Sequence, residues 1–333
     1  MAKKMTKNGL RILCYHGITD SDVTEWNPGL FIYPDDLKRR LKYLSDNNFP
    51  VISLEESGNY LKQNKLPPYA TVITIDDGFF NTISHGRNVL KKFGYPYTVY
   101  ISTYYSKIQD PVFSLAVPYI LWKTEKKKSV FSSIGIELTN NEWIKNSILS
   151  TQIQKNIIDY GQKLCTQEKR NRILIELGDL LEVNSKDLFK NRKLSYMNRL
   201  EIQKLASEGV DIQLHTHRHN WPLNKKNAFK EIDENRYFLE PLVGKKLNHF
   251  CYPSGFWREE QIEFLMEKGI KTATTCDSGF NYPNTNLYLL RRFVDNSKKN
   301  MIEFEALING FYQIFYKFTK SKTYSRNSGY NCT

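Results

Sequence analysis

Long apolar runs are missing from this chain. After the basic N-terminus, Met1 to Asn8, only the short stretch Leu10 to Tyr15 precedes polar residues. That is too short for a secretory h-region, and no later segment is long enough to cross a bilayer. Cysteine is also scarce. Cys14, Cys165, Cys251, Cys276 and Cys332 are odd in number and show neither C-x-x-C nor finger-like spacing. This argues against a disulfide framework and for reduced thiols in a cytoplasmic protein. No internal repeat is present, no nucleic-acid-binding motif is recognisable, and no histidine follows His249.

What is present is enough for a sizeable folded core. The 333 residues are 40% hydrophobic and 14% aromatic, a length that α/β barrels reach as one domain. The formal net charge of +13 implies attraction to anionic partners. Charge alone does not choose among nucleic acid, an anionic membrane surface and an acidic glycan. The basic residues are spread along the chain, with some concentration near 123–128 and 317–326. With no motif to go with the charge, nucleic acid is not the expected partner.

Strand-like and helix-like segments alternate. Leu10 to Tyr15 reads as a first strand, and Leu37, Leu41 and Leu44 mark a helix face. Val51-Ile52 reads as a short buried strand. Ser53 with Glu56 is a capping-box signature opening a helix that ends before Pro67-Pro68. Ala70 to Ile75 is a strand, Thr82 to Phe93 a helix, and Tyr97 to Ser102 a strand. Residues 107–195 break the alternation with Lys-, Asn- and Glu-rich sequence, helical around Ile153 to Leu164 and Arg172 to Leu181. They read as a helical insertion. From Leu200 the pattern resumes with strand Val210 to Leu214, a helix near Glu231 to Leu242 and strand Phe250 to Tyr252. A helix near Glu259 to Lys268, strands Lys271 to Thr275 and Leu287 to Phe293, and a helix from Met301 complete it. Seven or eight strands alternating with helices predict a closed parallel barrel. One barrel domain is expected over 1–320, with the insertion at about 107–195 and a basic flexible tail at 321–333.

Two polar clusters follow strands, where α/β folds display chemistry. The first is Thr74-Ile75-Asp76-Asp77-Gly78. Adjacent strand residues point to opposite faces, but at a strand end followed by Gly78 both carboxylates can turn toward one pocket. The second is His215-Thr216-His217-Arg218-His219, which gathers three of the six histidines. Their i, i+4 spacing brings His215 and His219 to one side of a helical turn. Together the clusters supply three ligands and a spare base, the inventory of a catalytic zinc site with one position left for water.

These residues resemble the NodB-type polysaccharide deacetylases, carbohydrate esterase family four. Thr74 to Gly78 is similar to the family's T-F/I-D-D-G, and His215, Thr216 and His219 to its H-S/T-x-x-H. Phe250-Cys251-Tyr252-Pro253-Ser254-Gly255 is similar to its proline-glycine loop, and Tyr15-His16 to the Y-H start of exopolysaccharide-linked members. The resemblance covers about residues 10–106 and 196–305 and implies a deformed (β/α)7 barrel. It makes Asp77, His215 and His219 ligands of a divalent metal, zinc by preference, with cobalt, nickel or manganese as alternatives. It makes Asp76 the general base and the Ser254 backbone N–H an oxyanion donor. Where many members have a base-orienting arginine, this chain has Cys251, and Arg292 resembles the arginine that some members supply from a later strand. The late leaving-group histidine of many members has no counterpart, so His16 is the candidate general acid or supporting contact. Tyr252, Trp221 and Trp257 are candidates for stacking on a sugar ring, and Tyr252 and Gly255 join Ser254 as expected substrate-binding residues.

The expected function is metal-dependent removal of N-acetyl groups from an amino sugar in a surface polysaccharide or its biosynthetic precursor. The alternatives are a carbohydrate-binding pseudoenzyme that keeps the metal site, and an amidase or deformylase of the same fold. An acetylated amino-sugar glycan is the expected partner. Phe311, Tyr312, Ile314, Phe315 and Phe318 with Lys317, Lys320, Lys322 and Arg326 suggest an aromatic helix and basic cluster able to sit on an anionic membrane. The expected location is cytoplasmic, at the inner face of the membrane.

Overall fold

The computed structural model describes residues 2–124 and 147–312. The chain divides into two compact units, one of Met1–Lys107 with Met197–Thr333, the other Ile108–Tyr196.

The first unit is built on seven parallel strands: β1 (Arg11–Tyr15), β2 (Thr71–Ile75), β3 (Thr98–Ile101), β4 (Asp211–Leu214), β5 (His249–Cys251), β6 (Thr272–Thr274) and β7 (Phe293–Val294). Their order is β6-β5-β4-β3-β2-β1-β7. The expected strand Leu287 to Phe293 is split. Leu287 and Leu290 exchange backbone hydrogen bonds with the β6 region, through Ala273 and Thr275. Only Phe293 and Val294 pair with β1, opposite Leu13 and Cys14. One short segment therefore joins both edges of the curled sheet, which is the deformed (β/α) barrel expected.

Alternation along the strands sorts the core into two clusters, because successive side chains leave opposite faces. Leu13, Tyr15, Ile73, Ile75, Val99, Ile101, Ile212, Leu214 and Phe250 belong to the cluster that the surrounding helices share. Ile12, Val72, Tyr100, Cys251 and Leu290 belong to the other. The helix Leu54–Gln63 adds Leu54 and Leu61 to this second cluster, beside Leu10 and Ala70 at the entries to β1 and β2. Its capping box is present as predicted: Ser53 N–H donates to Glu56 Oε2 at 2.9 Å, and Glu56 N–H to Ser53 Oγ at 3.2 Å. In the helix Pro34–Asp46, Leu37, Leu41 and Leu44 are buried at the predicted spacing.

Other expectations are corrected. Val51-Ile52 is half-buried and makes a single bridge to Thr71. The predicted helix Thr82 to Phe93 opens with a π-helical turn, Thr82–Gly86, before Arg87–Phe93. A side chain on Gly86 would sit 2.5 Å from Ile18 Cδ1, so glycine allows this turn to lie against the strand Gly17–Ile18. The helix expected near Glu231 begins at Lys225 and runs to Val243. The last described helix, Met301–Ile308, starts with a capping box from Asn300 and Glu303. Phe311 and Tyr312 are exposed, and the rest of the expected aromatic helix and basic cluster lies outside the described residues. Among those residues no helix is long and apolar enough to cross a membrane.

The second unit is helical, with Phe113–Lys123, Ser147–Leu164, Gln167–Leu180 and Lys186–Lys190. Phe113, Ile120, Ile157, Leu174 and Leu177 are buried. Gly161 permits close packing, since a Cβ there would lie 2.2 Å from the Phe113 ring.

Candidate metal centre

The two clusters are shaped by backbone that leaves regular structure abruptly. Asp76 N–H extends the ladder by donating to Tyr15 O at 2.9 Å. The chain then turns through two left-handed residues, Asp77 (φ 72°) and Gly78 (φ 85°). A left-handed aspartate is uncommon and costs conformational energy, so the surroundings must hold it. They do so through Ser102 N–H donating to Asp77 O and Met197 N–H donating to Gly78 O. Glycine is needed at 78 both for its φ and because a Cβ would reach 3.0 Å from Ile101. Strand alternation is thus cancelled, and both carboxylates are buried.

The histidine pair is also brought together by a turn, but not by the helical one expected from the spacing. Thr216 (φ 63°) and His219 (φ 53°) are left-handed residues in an irregular loop after β4. The loop is anchored where it leaves the strand. His215 N–H donates to Asn235 Oδ1 at 3.1 Å, and Ser102 Oγ donates to His215 O at 2.7 Å. The fully buried Asn235 donates in turn to Ile101 O and Thr103 Oγ1.

Asp77 Oδ1 lies 3.2 Å from His215 Nε2 and 3.3 Å from His219 Nε2. The two rings are 4.9 Å apart and nearly perpendicular. Despite these approaches, the buried Oδ1 has no hydrogen-bond partner of good geometry. His215 Nδ1 is 2.8 Å from Cys251 O. A carbonyl only accepts, so Nδ1 carries a proton and Nε2 is the nitrogen left on the Asp77 side. Three atoms able to ligate a metal thus lie within 4.8 Å of one another. Tetrahedral zinc with bonds of about 2.0–2.1 Å separates its ligand atoms by roughly 3.3 Å, so the donor set and its spacing fit such a cation. Burial would raise the Asp77 pKa, but the imidazoles of His219 and His215 outweigh it and hold the carboxyl well below its usual range.

The neighbouring Asp76 is fully partnered. Arg292 donates to it in a fork, Nη1 to Oδ1 and Nη2 to Oδ2, both at 2.7 Å. The guanidinium is itself fixed by Nε donating to Thr275 O at 2.8 Å, and Arg292 is fully buried. Its place at the split between β6 and β7 excludes the surface role that a late-strand arginine could otherwise have. Burial opposes ionisation of Asp76, but the charge and hydrogen bonds of Arg292 prevail and keep it ionised far below the carboxylate range. Cys251 Sγ and Cys14 Sγ also lie 3.3 and 3.5 Å from Asp76 Oδ2. Burial pushes both thiols up, so they are neutral donors. His16, buried at the end of β1, has Nε2 3.9 Å from Asp76 Oδ2. Burial lowers its pKa despite the nearby carboxylates.

The loop after β5 turns through Ser254 (φ 54°) and Gly255 (φ 71°). Gly255 packs on Cys276, and an added Cβ would lie 2.6 Å from Cys276 Cβ and 3.0 Å from its backbone nitrogen. The Tyr252 ring cannot serve as a stacking surface in this structure. It is fully buried, with Phe250 at 5.3 Å and Trp221 at 6.3 Å between ring centroids. Trp221 is buried in the same group, and Trp257 packs against that core. His217 sits beside the centre, its Nδ1 2.8 Å from Thr103 Oγ1 and its Nε2 3.9 Å from Glu234. His249 is held between Thr272 and Glu55, while His85 pairs with Asp20. The sequence reading missed the anchors Asn235 and Ser102 and the Cys14 thiol on Asp76, and noted Cys251 only as standing where many deacetylases have a base-orienting arginine. Cys14 reaches Asp76 because it pairs with Thr74, two residues before that acid, across β1 and β2.

A family model described as polysaccharide deacetylase matches residues 186–273. The putative polysaccharide deacetylase YxkH of Bacillus subtilis (strain 168) is 30% identical over 93 residues, which is 28% of this chain and 31% of that protein. The alignment therefore spans about a third of that relative. Among solved structures, a deacetylase of Streptococcus pyogenes, PplD, in complex with acetate is similar at a TM-score of 0.59 and 16% identity, over 92% of this chain and 99% of its own. IcaB from Ammonifex degensii gives a TM-score of 0.56 and 17% identity, over 90% and 95%. A de-N-acetylase from Aggregatibacter actinomycetemcomitans gives 0.53 and 14%, over 90% and 99%. At these identities the structures speak for the fold. Residues 186–273 carry the sequence signature of the polysaccharide deacetylases, and the chain has the deformed barrel of the NodB-like members of that family.

Proposed function

We propose that the protein is a metal-dependent hydrolase that removes N-acetyl groups from an amino sugar in a surface polysaccharide or its biosynthetic precursor. The observation that carries this reading is the convergence of Asp77 Oδ1, His215 Nε2 and His219 Nε2 on one point, with Oδ1 buried and unpartnered. Those residues would hold a divalent cation, zinc by preference, with cobalt, nickel or manganese as alternatives. When bound, the cation supplies Lewis-acid activation of water and of an amide carbonyl.

The remaining roles fall to the chain. Asp76 accepts the proton of the attacking water, oriented by Arg292 through the fork at 2.7 Å. The Ser254 backbone N–H, on the turn after β5, donates to the oxygen that becomes negative as the carbonyl is attacked. His16 is the proposed proton donor to the leaving amine. The names of the relatives support an acetylated glycan as substrate: one is a de-N-acetylase and another is seen with acetate. A lipid-linked precursor at the cytoplasmic face of the membrane is the proposed setting.

The test is incubation of the zinc-loaded protein with N-acetylglucosamine oligomers and lipid-linked acetylated intermediates, read by mass spectrometry and acetate assay. Acetate release with a matching loss of acetyl mass is expected. Glycan binding without release would establish the pseudoenzyme alternative, for which the missing late histidine is the sequence argument.

A further inference from the structure

Three of the chain's five cysteines, far apart in sequence, gather around one ion pair. Cys251 Sγ is 3.2 Å from Arg292 Nη2 and 3.3 Å from Asp76 Oδ2. Cys14 Sγ is 3.5 Å from the same carboxylate oxygen, and Cys276 Sγ is 3.9 Å from Arg292 Nη2. Cys14 and Cys251 are fully buried, and neither is in a disulfide. A thiol has one proton to donate. The other neighbours are the His215 ring, whose Nδ1 faces Cys251 O, and neutral carbonyls at longer range, Tyr252 O at 3.8 Å for Cys251 and Tyr15 O at 3.9 Å for Cys14. A carboxylate at 3.3 Å is the stronger partner.

We infer that Cys251 is a positioning residue for Asp76: its thiol accepts from Arg292 Nη2, donates to Asp76 Oδ2 and fixes the rotation of the carboxylate, with Cys14 as a second, longer-range donor. The inference rests on the reading of Asp76 as the base. The chemistry explains why a thiol suits this place. A second guanidinium would hold the carboxylate equally well but would add a full charge and weaken its hold on a proton. A thiol is a soft, weak donor, so it constrains geometry while taking little basicity from the carboxylate. The fork from Arg292 supplies the charge, and the sulfur supplies the third point that fixes the plane.

Two readouts test it. In kinetics of acetate release, Cys251→Ala should lower kcat by about 10-fold, the usual weight of a hydrogen bond to a charged group, with KM and bound zinc unchanged. Cys251→Ser, which restores a donor, should recover most of that loss. A serine variant no better than the alanine variant, or an alanine variant with full kcat, would overturn the inference. The second readout needs no activity. The S–H stretching band of Cys251, located by the infrared difference between wild type and Cys251→Ala, should move to higher frequency in Asp76→Asn, where the acceptor is neutral. An unmoved band would also overturn it. If the wild-type protein released no acetate at all, the proposed function would fall, while the infrared comparison would still decide whether Cys251 donates to Asp76.

Discussion

Asp76 and Asp77 are neighbours in one turn, equally buried, yet they solve the cost of a buried charge in opposite ways. Asp76 sits against a fully buried guanidinium, with two thiols completing its partners. Asp77 has one oxygen with no hydrogen-bond partner, facing two imidazole nitrogens. An unpaired buried carboxylate is expensive. The Asp76 half is therefore complete as the chain folds, whereas the Asp77 half leaves an oxygen beside two imidazoles, the arrangement behind the proposed cation site. The difference teaches how adjacent acids acquire separate tasks: the partners decide, and a left-handed residue between strand and loop delivers each acid to its own set.

The comparison breaks most easily on the Asp77 side. Replacing Asp77, His215 or His219 with Ala should remove most bound zinc, measured by equilibrium dialysis with elemental analysis, while His217→Ala should keep it. Loss of zinc from His217→Ala with retention in His219→Ala would mean that the loop supplies its ligands in another register. On the Asp76 side, Asp76→Asn should leave the zinc content intact and lower kcat by about 10²–10⁴, the usual contribution of a general base. Near-normal turnover would put the base elsewhere.

Much of this was legible in the sequence because it depends on local rules. Period-2 apolar runs gave the strands, and Ser53 with Glu56 gave a helix start that forms as read. Asp77, His215 and His219 could be singled out together because of their residue types and positions after strands, and the structure brings the three side by side. What could not be read depends on side chains meeting across the barrel. The i, i+4 spacing suggested a helical turn for the histidines, but two left-handed residues do the work instead. Tyr252 looked like a sugar platform because sequence alone does not give the direction of its ring, which packs with Phe250 and Trp221. The split strand ending in β7 was hidden because hydrogen bonds to both sheet edges, not local propensity, define it.

Arg292→Ala sharpens the comparison from the other direction. Turnover should fall, through loss of orientation of Asp76, by less than in Asp76→Asn. Stability should fall as well, because the variant leaves a buried carboxylate without its counter-charge. Breaking a buried pair in this way costs about 3–5 kcal/mol, readable as a lower urea midpoint. The double variant Asp76→Asn/Arg292→Ala should lose less stability than the two single losses added together. A wild-type urea midpoint for Arg292→Ala would mean that the pair is hydrated and the barrel interior is not dry.

The smallest effect concerns pH, and it separates the carboxylate pair from a buried histidine outside the site. Asp76 has a depressed pKa, so the stability it contributes is complete above the ordinary carboxylate range and is lost only as pH falls well below about 4. It cannot explain any loss between pH 7 and 5. His249 can. It is 3% exposed, with Nδ1 2.7 Å from Thr272 Oγ1 and Nε2 2.8 Å from Glu55 Oε2. Burial lowers its pKa below the ordinary 6.5, although Asp211 and Glu55 pull the other way. The folded state therefore binds this proton less readily than the unfolded chain does. Its stabilising effect is full above about 6.5 and declines as pH falls through the interval down to the folded value, at no more than about 1.4 kcal/mol per pH unit. In urea unfolding at pH 7.5 and 5.5, His249→Gln should show a smaller drop in stability than wild type. Other histidines contribute equally to both proteins and cancel in that difference. Parallel losses in the two proteins would mean that His249 titrates alike folded and unfolded, and that Glu55 compensates fully for its burial.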